Sequence, residues 1–326
     1  MKILFVSSGN KSNNPGKPGA VVYNQGESIK KYGVNIDYFL VEEKGLGGYI
    51  KEAWRLRKYL KNHPVSVIHA HYTLSGWVSV LTFSKQPIVL SLMGTDAYGE
   101  YIGINKIIPR SRYLIFFTYI IQLFVKAIIC KSKHIQSFVY LKRKSSIIPN
   151  GVFLENIHFN ETGYRKELGL NPNKKYVLFI GNIDNRRKNY KLLDDAFKIL
   201  DLKNTELIAP SSIPHDQVIK YLNSVDVLVV PSFMEGSPNI VKEAMACNCP
   251  VVATDVGDVK WLFGDEPGHF ICSFRPEDLA ERICQALVFS EKYGRTNGRN
   301  RILELELDAE HVAGRIVGVY EKVLSE

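Results

Sequence analysis

The chain runs through one alternation twice: a short apolar run, then a stretch with helical spacing, then another apolar run. KILFVSS (2–8), NIDYFLV (35–41), SVIHAH (66–71) and PIVLSLMG (87–94) read as strands, with helical patterns over 20–33, 49–63 and LSGWVSVLTFS between them. After IIPNG (147–151) the rhythm restarts, with KYVLFIGN (175–182), TELIAP (205–210), VDVLVVPS (225–232) and CPVVATDVG (249–257) separated by helical spacing over 189–200, 215–224 and the residues after Ser237. Strands joined through a helix lie parallel, so each half predicts an α/β doubly wound sheet with helices on both faces. A chain of 326 residues also exceeds what one core sustains. We expect a first domain over 1–155, a second over 156–305, and a C-terminal helix over 306–326 packing back toward the first.

Charge is divided unevenly between the halves. Residues 1–151 hold 21 Lys and Arg against 7 Asp and Glu, a balance of +14, whereas 152–326 hold 21 against 26, a balance of −5. A basic half implies an anionic partner: nucleic acid, a membrane surface or a phosphorylated substrate. No zinc finger, aromatic RNA-binding pattern or recognition-helix signature appears, so nucleic acid is not expected. YLIFFTYIIQLFVKAIIC (113–130), flanked by Arg110, Arg112, Lys131 and Lys133, contains Gln122 and Lys126, which argues for a buried helix followed by a strand rather than a span. An apolar ridge beside cations there would instead suit an anionic membrane surface. The ILFV near the N-terminus is too short for a signal peptide, so a cytoplasmic protein is expected. Cys130, Cys247, Cys249, Cys272 and Cys284 are odd in number and lack zinc spacing, so they read as reduced core or near-core thiols.

Several chemistries lack their residues. GxGxxG is absent after the first strand, GLGGYIKEA (45–53) is read as lacking the strand–turn–helix context of a dinucleotide loop, and GNKS (9–12) lacks the remainder of a P-loop. His69 and His71 share a strand face with no further metal ligand in sight. The segment EGSPNIVKEAMA (235–246) is more informative. It follows a buried strand, with Ser237 placed as an N-cap and Pro238 at the first helical position. The amides of Gly236, Ser237, Asn239 and Ile240 would then face the carboxyl edge of the sheet, where a helix N-terminus receives phosphate. Glu235 and Glu243 would repel that phosphate if aimed at it; aimed at vicinal hydroxyls, each carboxylate can accept two hydrogen bonds.

PSFMEGSPNIVKEAMACNCPVVATDVGDV (231–259) resembles the E-x7-E region of the retaining glycosyltransferases of family 4. SVIHAHYTLSG (66–76), PIVLSLMGTDAY (87–98), IIPNGVFLENIHF (147–159) and FIGNIDNRRKN (179–189) are similar, in order, to further segments of that family. The resemblance implies a GT-B fold of two Rossmann-like domains with an interdomain cleft. It also implies a nucleotide-diphosphate sugar as donor; the +14 first half and the 105–144 segment add the expectation of a saccharide or lipid-linked acceptor at the inner membrane surface, in cell-surface polysaccharide biosynthesis such as capsule, exopolysaccharide or lipopolysaccharide. Glu235 corresponds to the glutamate beside the donor sugar, Glu243 to the one that grips the ribose, and Lys188 to the lysine on the diphosphate. Gly181, Asn182 and Arg187 fall in the donor loop. His71, Gly19, Ala20, Gly94 and Asp96 fall on the acceptor side. Neither a metal nor another cofactor is expected, and the site of action would be the inner face of the plasma membrane. Asn182 stands where the family has an arginine, leaving Arg186 or Arg187 to supply that charge, and Met93 stands where it has a histidine. Each residue also has an ordinary reading: Glu243 an exposed helix position, Lys188 a surface lysine, His71 a satisfied core histidine, Asp96 a turn residue. A nucleotide-sugar hydrolase, an epimerase or a silent sugar-nucleotide-binding partner would fit the same scaffold.

Overall fold

In a computed structural model, residues 1–9 and 17–326 are described; most of the polar loop expected over 9–19 therefore lies outside the described residues. The chain begins β1 (Lys2–Ser8), α1 (Ala20–Lys30), β2 (Asn35–Val41), α2 (Gly45–Asn62), β3 (Val67–His71), α3 (Thr73–Val80), β4 (Ile88–Leu92) and α4 (Thr95–Tyr98). It continues through β5 (Tyr101–Gly103), β6 (Lys106–Ile107), α5 (Ser111–Ile121), β7 (Ala127–Cys130), α6 (Lys133–Ser137) and β8 (Ser145–Ile147). The later part comprises α7 (Glu161–Glu167), β9 (Lys175–Leu178), α8 (Tyr190–Leu200), β10 (Thr205–Ile208), α9 (His215–Ser224), β11 (Val227–Val230) and α10 (Asn239–Ala246). It ends with β12 (Val251–Thr254), α11 (Val259–Phe263), β13 (His269–Cys272), α12 (Pro276–Tyr293), α13 (Gly298–Glu304) and α14 (Ala309–Ser325).

Two compact units result. The first takes residues 1–99, 108–151 and 309–326; the second takes 100–107 and 152–308. The first unit holds a parallel sheet in the order β2-β1-β3-β4-β7-β8, and the second a parallel sheet in the order β10-β9-β11-β12-β13. Every residue of β3, β4, β11 and β12 is buried, as both-face coverage by helices requires. Around β9 and β11 the core is built from Val177, Phe179, Leu193, Val229 and Ile283. The short hairpin β5–β6 grouping with the second unit was not foreseen from sequence. The last helix belongs to the first unit, where Tyr32 donates its hydroxyl to the Glu310 carbonyl at 3.1 Å.

Three expectations need correction. α2 starts at Gly45 rather than at 49, a start that the glycines of its first turn, poor helix formers, conceal in the sequence; GLGG thus does lie between a strand and a helix, although Ile50 stands where a dinucleotide loop needs its third glycine. α5 is not buried: Tyr113, Phe116, Phe117 and Tyr119 are exposed, and its buried residues are Ser111, Thr118 and Ile121. Cys284 is exposed on α12, where the neighbouring Ile283 takes the core position; the other four cysteines are buried and free. No helix among the described residues is long and apolar enough to cross a membrane.

Candidate functional site

In the second unit the chain leaves β9 toward β10 on one side and returns to β11 on the other. Between the carboxyl ends of β9 and β11 lies the switch point at which doubly wound sheets bind ligands. The two loops that emerge there are laced together. Phe233 N–H donates to the Arg187 carbonyl at 2.9 Å, the Arg187 guanidinium to the Met234 carbonyl at 3.0 Å, and the Asn189 amide to the Pro231 carbonyl at 3.1 Å. Gly181 opens the first loop at φ 150°, a conformation that a side chain resists.

Lacing brings Lys188, Arg187 and Glu235 to one place. Glu235 is 8% exposed and accepts from Lys188 Nζ at 2.8 Å and Ser232 Oγ at 2.9 Å, while Arg187 Nη1 lies 2.5 Å from its second oxygen. Burial alone would raise the Glu235 carboxyl; the two cations more than offset it and hold the group below the ordinary carboxylate value. Arg187, five residues beyond Asn182, thus shares the Glu235 carboxylate with Lys188. Asn182 itself is exposed and its side chain accepts from Asp184 N–H at 2.9 Å.

The helix start differs from the expected one by a residue. Pro238 is the N-cap of α10, and Ser237 does not cap, because its hydroxyl accepts from Lys242 Nζ at 3.1 Å instead. Lys242 is fully buried; burial lowers its ammonium to about 8, against the pull of Asp258 and Glu243. A Cβ on Gly257 (φ 65°) would sit 2.6 Å from the Gly236 carbonyl oxygen, so only glycine lets the loop after β12 press against the Glu235–Gly236 turn. Glu243 lies in the second turn of α10 and is paired with His215 Nε2 at 3.0 Å. That hydrogen bond raises the His215 imidazole, burial opposes it, and the charges of Glu243 and Asp216 add to the rise. The sequence reading missed His215, Ser232 and Lys242. His215 opens α9 after Pro214 and Ser232 lies two residues beyond β11, positions at a sheet's carboxyl edge that could have flagged them. A lysine inside a helix reads as solvated, so nothing flagged Lys242.

The residues expected on the acceptor side belong to the first unit. Gly19 is the N-cap of α1, and its carbonyl accepts from Val22 and Tyr23 N–H at 3.0 Å; Ala20 is the first residue of that helix. Asp96 is fully buried and spends its carboxylate internally, accepting from Met93 N–H at 3.0 Å, Gly94 N–H at 2.9 Å and Thr73 N–H at 3.0 Å. Burial pushes it up to about 6 against the pull of those amides. Asp96 thus shapes the turn after β4. His69 is the satisfied core histidine, bonded to Tyr320 Oη at 2.6 Å and Ser91 Oγ at 2.8 Å. His71 is not: it is buried, its ring stacks on His69 at 4.2 Å, and neither nitrogen has a hydrogen-bond partner among the described residues. Burial, reinforced by the Lys131 ammonium, keeps its imidazole well below the ordinary value and hence neutral. Next to it Tyr72 holds φ 81°, a costly conformation for a non-glycine residue. Among the described residues no group of three or more His, Cys, Asp or Glu is placed to hold a metal ion.

Residues 19–156 match the family described as Glycosyltransferase Family 4, and residues 205–288 the one described as Glycosyl transferases group 1. An uncharacterised glycosyltransferase of Methanocaldococcus jannaschii is 32% identical over 271 residues, covering 77% of this chain and 74% of that protein. A putative teichuronic acid biosynthesis glycosyltransferase of Bacillus subtilis, TuaC, is 27% identical over 245 residues, covering 67% of this chain and 60% of that protein. Among solved structures, Anabaena HepE in complex with UDP-glucose superposes over 99% of this chain and 100% of its own with a TM-score of 0.76, at 16% identity.

Proposed function

The chain belongs to glycosyltransferase family 4 and has the GT-B fold, and from that premise we propose that it moves a hexose with retention from a nucleotide-diphosphate sugar to a saccharide or lipid-linked acceptor. The observation that carries the reading is the pairing of Lys188 and Arg187 with one buried carboxylate at the switch point of the second sheet. A departing nucleoside diphosphate develops negative charge, and two fixed cations together with the amides of Gly236, Ser237, Asn239 and Ile240 would stabilise it without a metal. Glu235, held ionised by those same cations, would accept from sugar hydroxyls, and Glu243 from the ribose diol. In the free protein each carboxylate already has a partner, so donor binding exchanges contacts instead of creating them: Arg187 and Lys188 turn to phosphate, and His215 gives up Glu243.

On the acceptor side, His71 is the group with unused hydrogen-bonding capacity, while Asp96 would act through the Met93–Gly94 turn that it holds. The setting we propose is cell-surface polysaccharide assembly on the cytoplasmic side of the membrane, in keeping with the function named for TuaC. The test incubates the full chain with UDP- and GDP-sugars and with lipid-linked and free saccharide acceptors, then determines product and anomeric configuration by NMR. An α-linked product from an α-linked donor supports the reading; free sugar as the sole product would replace it with a hydrolase.

A further inference from the structure

On its inward side α5 buries Ser111 and Thr118 together with Ile121: Thr118 Oγ1 donates to the Asp96 carbonyl at 2.6 Å and lies 2.7 Å from Thr73 Oγ1, and the buried Gln122 accepts from Tyr140 N–H at 3.1 Å. Its aromatic side faces outward. Tyr113, Phe116, Phe117, Leu123 and Phe124 are 73, 58, 43, 60 and 55% exposed, so one contiguous stripe remains in water. A stripe at i, i+3 and i+4 normally marks the buried side of a helix, and large exposed apolar patches mark interaction surfaces. Aromatics that sit at membrane interfaces extend it: Trp77 donates its indole N–H to the Phe117 carbonyl at 3.2 Å, and Tyr119 stacks on Tyr140 at 4.2 Å.

Charge decides what covers the stripe. Residues 101–154 contain nine Lys and Arg and no Asp or Glu. Exposed cations stand at both ends of α5: Arg110 and Arg112 at its start, Lys126, Lys142 and Arg143 beyond its end. Lys144 ties the latter group to the helix, donating to the Gln122 carbonyl at 3.1 Å and the Val125 carbonyl at 2.9 Å. Lys126 lies 3.8 Å from the Glu326 carboxylate. A second copy of this face would bring cations against cations, whereas an anionic bilayer offers acyl chains to the aromatics and phosphate to the rim.

We propose that this face docks the protein on an anionic lipid bilayer, with the aromatics of α5 inserted at the headgroup boundary and Arg112, Lys142 and Arg143 on lipid phosphates. The docked helix would hold the acceptor side directly, since Thr118 bonds the backbone of Asp96, whose carboxylate fixes the Met93–Gly94 turn. The proposal stands whatever the acceptor proves to be. The full chain is sedimented with vesicles of phosphatidylcholine alone and of phosphatidylcholine and phosphatidylglycerol in a two-to-one ratio, at low and high salt. Binding to the anionic vesicles that salt reverses is expected. Reversing Arg112, Lys142 and Arg143 to Glu should weaken it on the order of a hundredfold, at about fivefold for each cation lost. Phe116→Ser with Phe117→Ser should weaken it while leaving thermal melting and nucleotide binding unchanged. In the unaltered chain Trp77 fluorescence should shift to the blue on anionic vesicles and be quenched by brominated lipid, a readout that needs no variant. Failure to pellet with either vesicle, unchanged binding by the variants, or a dimer in solution that the Phe variants dissociate would each overturn the proposal.

Discussion

Replacing Arg187 by Met tests whether the diphosphate charge lost at Asn182 has been moved five residues along the loop. The side chain keeps its stem and loses only the guanidinium, which lies 2.5 Å from Glu235 and is 19% exposed. A charge-assisted hydrogen bond contributes about 1.5–3 kcal/mol. Because Arg187 exchanges Glu235 for phosphate, the lower end applies, about 1.5 kcal/mol or roughly tenfold in Kd. Lys188→Met should cost a similar amount, since Lys188 shares the same carboxylate at 2.8 Å. Together the two should exceed the sum, because Glu235 would then face the diphosphate with no compensating cation; coupling of about 0.5–3 kcal/mol is usual for residues in one network. Calorimetry on a nucleoside diphosphate and on its parent nucleoside separates the terms, as the nucleoside affinity should not move. Asn182→Arg in the Arg187→Met background should restore most of the loss. Diphosphate affinity within twofold of the parent in Arg187→Met, or an equal loss for the nucleoside, refutes the assignment.

Glu235→Gln should separate binding from turnover: nucleoside diphosphate affinity holds or rises as two cations are released, while sugar transfer falls by about 10² or more. Glu243→Gln should weaken diphosphate and nucleoside alike, by roughly tenfold, if its carboxylate grips the ribose. Nucleotide affinity should also depend on pH through His215. The imidazolium–Glu243 pair stabilises the fold below the unfolded histidine value of about 6.5 and is lost as pH rises through the raised folded value. Nucleotide competes for the same carboxylate, so its affinity should strengthen over that rise, and His215→Ala should flatten the profile; an unchanged profile counts against the competition. Asp96→Ala strands three backbone amides at about 1–3 kcal/mol each, so a loss of at least about 3 kcal/mol is expected, seen as a drop in Tm of roughly 6–12 °C; Asp96→Asn, which keeps one oxygen, should lose less.

What the sequence disclosed was local. The strands announce themselves because a sheet covered on both faces writes unbroken apolar runs, and Glu235 and Glu243 are visible because they stand on either side of a Ser-Pro helix start after such a run. The partners of those carboxylates are not local: Lys188 lies 47 residues from Glu235, and His215 lies 28 from Glu243. Only the strand order, which sets the loops after β9 and β11 side by side, brings Lys188 to Glu235, and strand order is a tertiary outcome. Ser237 shows a milder form of the same limit. Its sequence position suits an N-cap, yet a buried ammonium five residues on competes for the hydroxyl and wins.

The reading of α5 failed for a more general reason. Periodicity reports which residues share a face; it does not report which face turns inward, since that depends on what the rest of the unit presents. Here Ile121 meets the apolar core, but four further inward neighbours are polar: the Thr73 hydroxyl, the Asp96 carbonyl and the Tyr140 and Leu141 amides each need a partner, and Thr118 and Gln122 supply them. Turning the aromatics inward would bury those groups unsatisfied, at about 1–3 kcal/mol apiece. Turning them outward instead leaves a large apolar area in water, at about 25 cal/mol for each Å². The second cost vanishes if the face is covered, and the first cannot be relieved in any setting. The orientation of α5 in the free chain therefore argues for a covered state, and loss of vesicle binding in the Phe116→Ser, Phe117→Ser chain, with its melting unchanged, is the result that this energy balance demands.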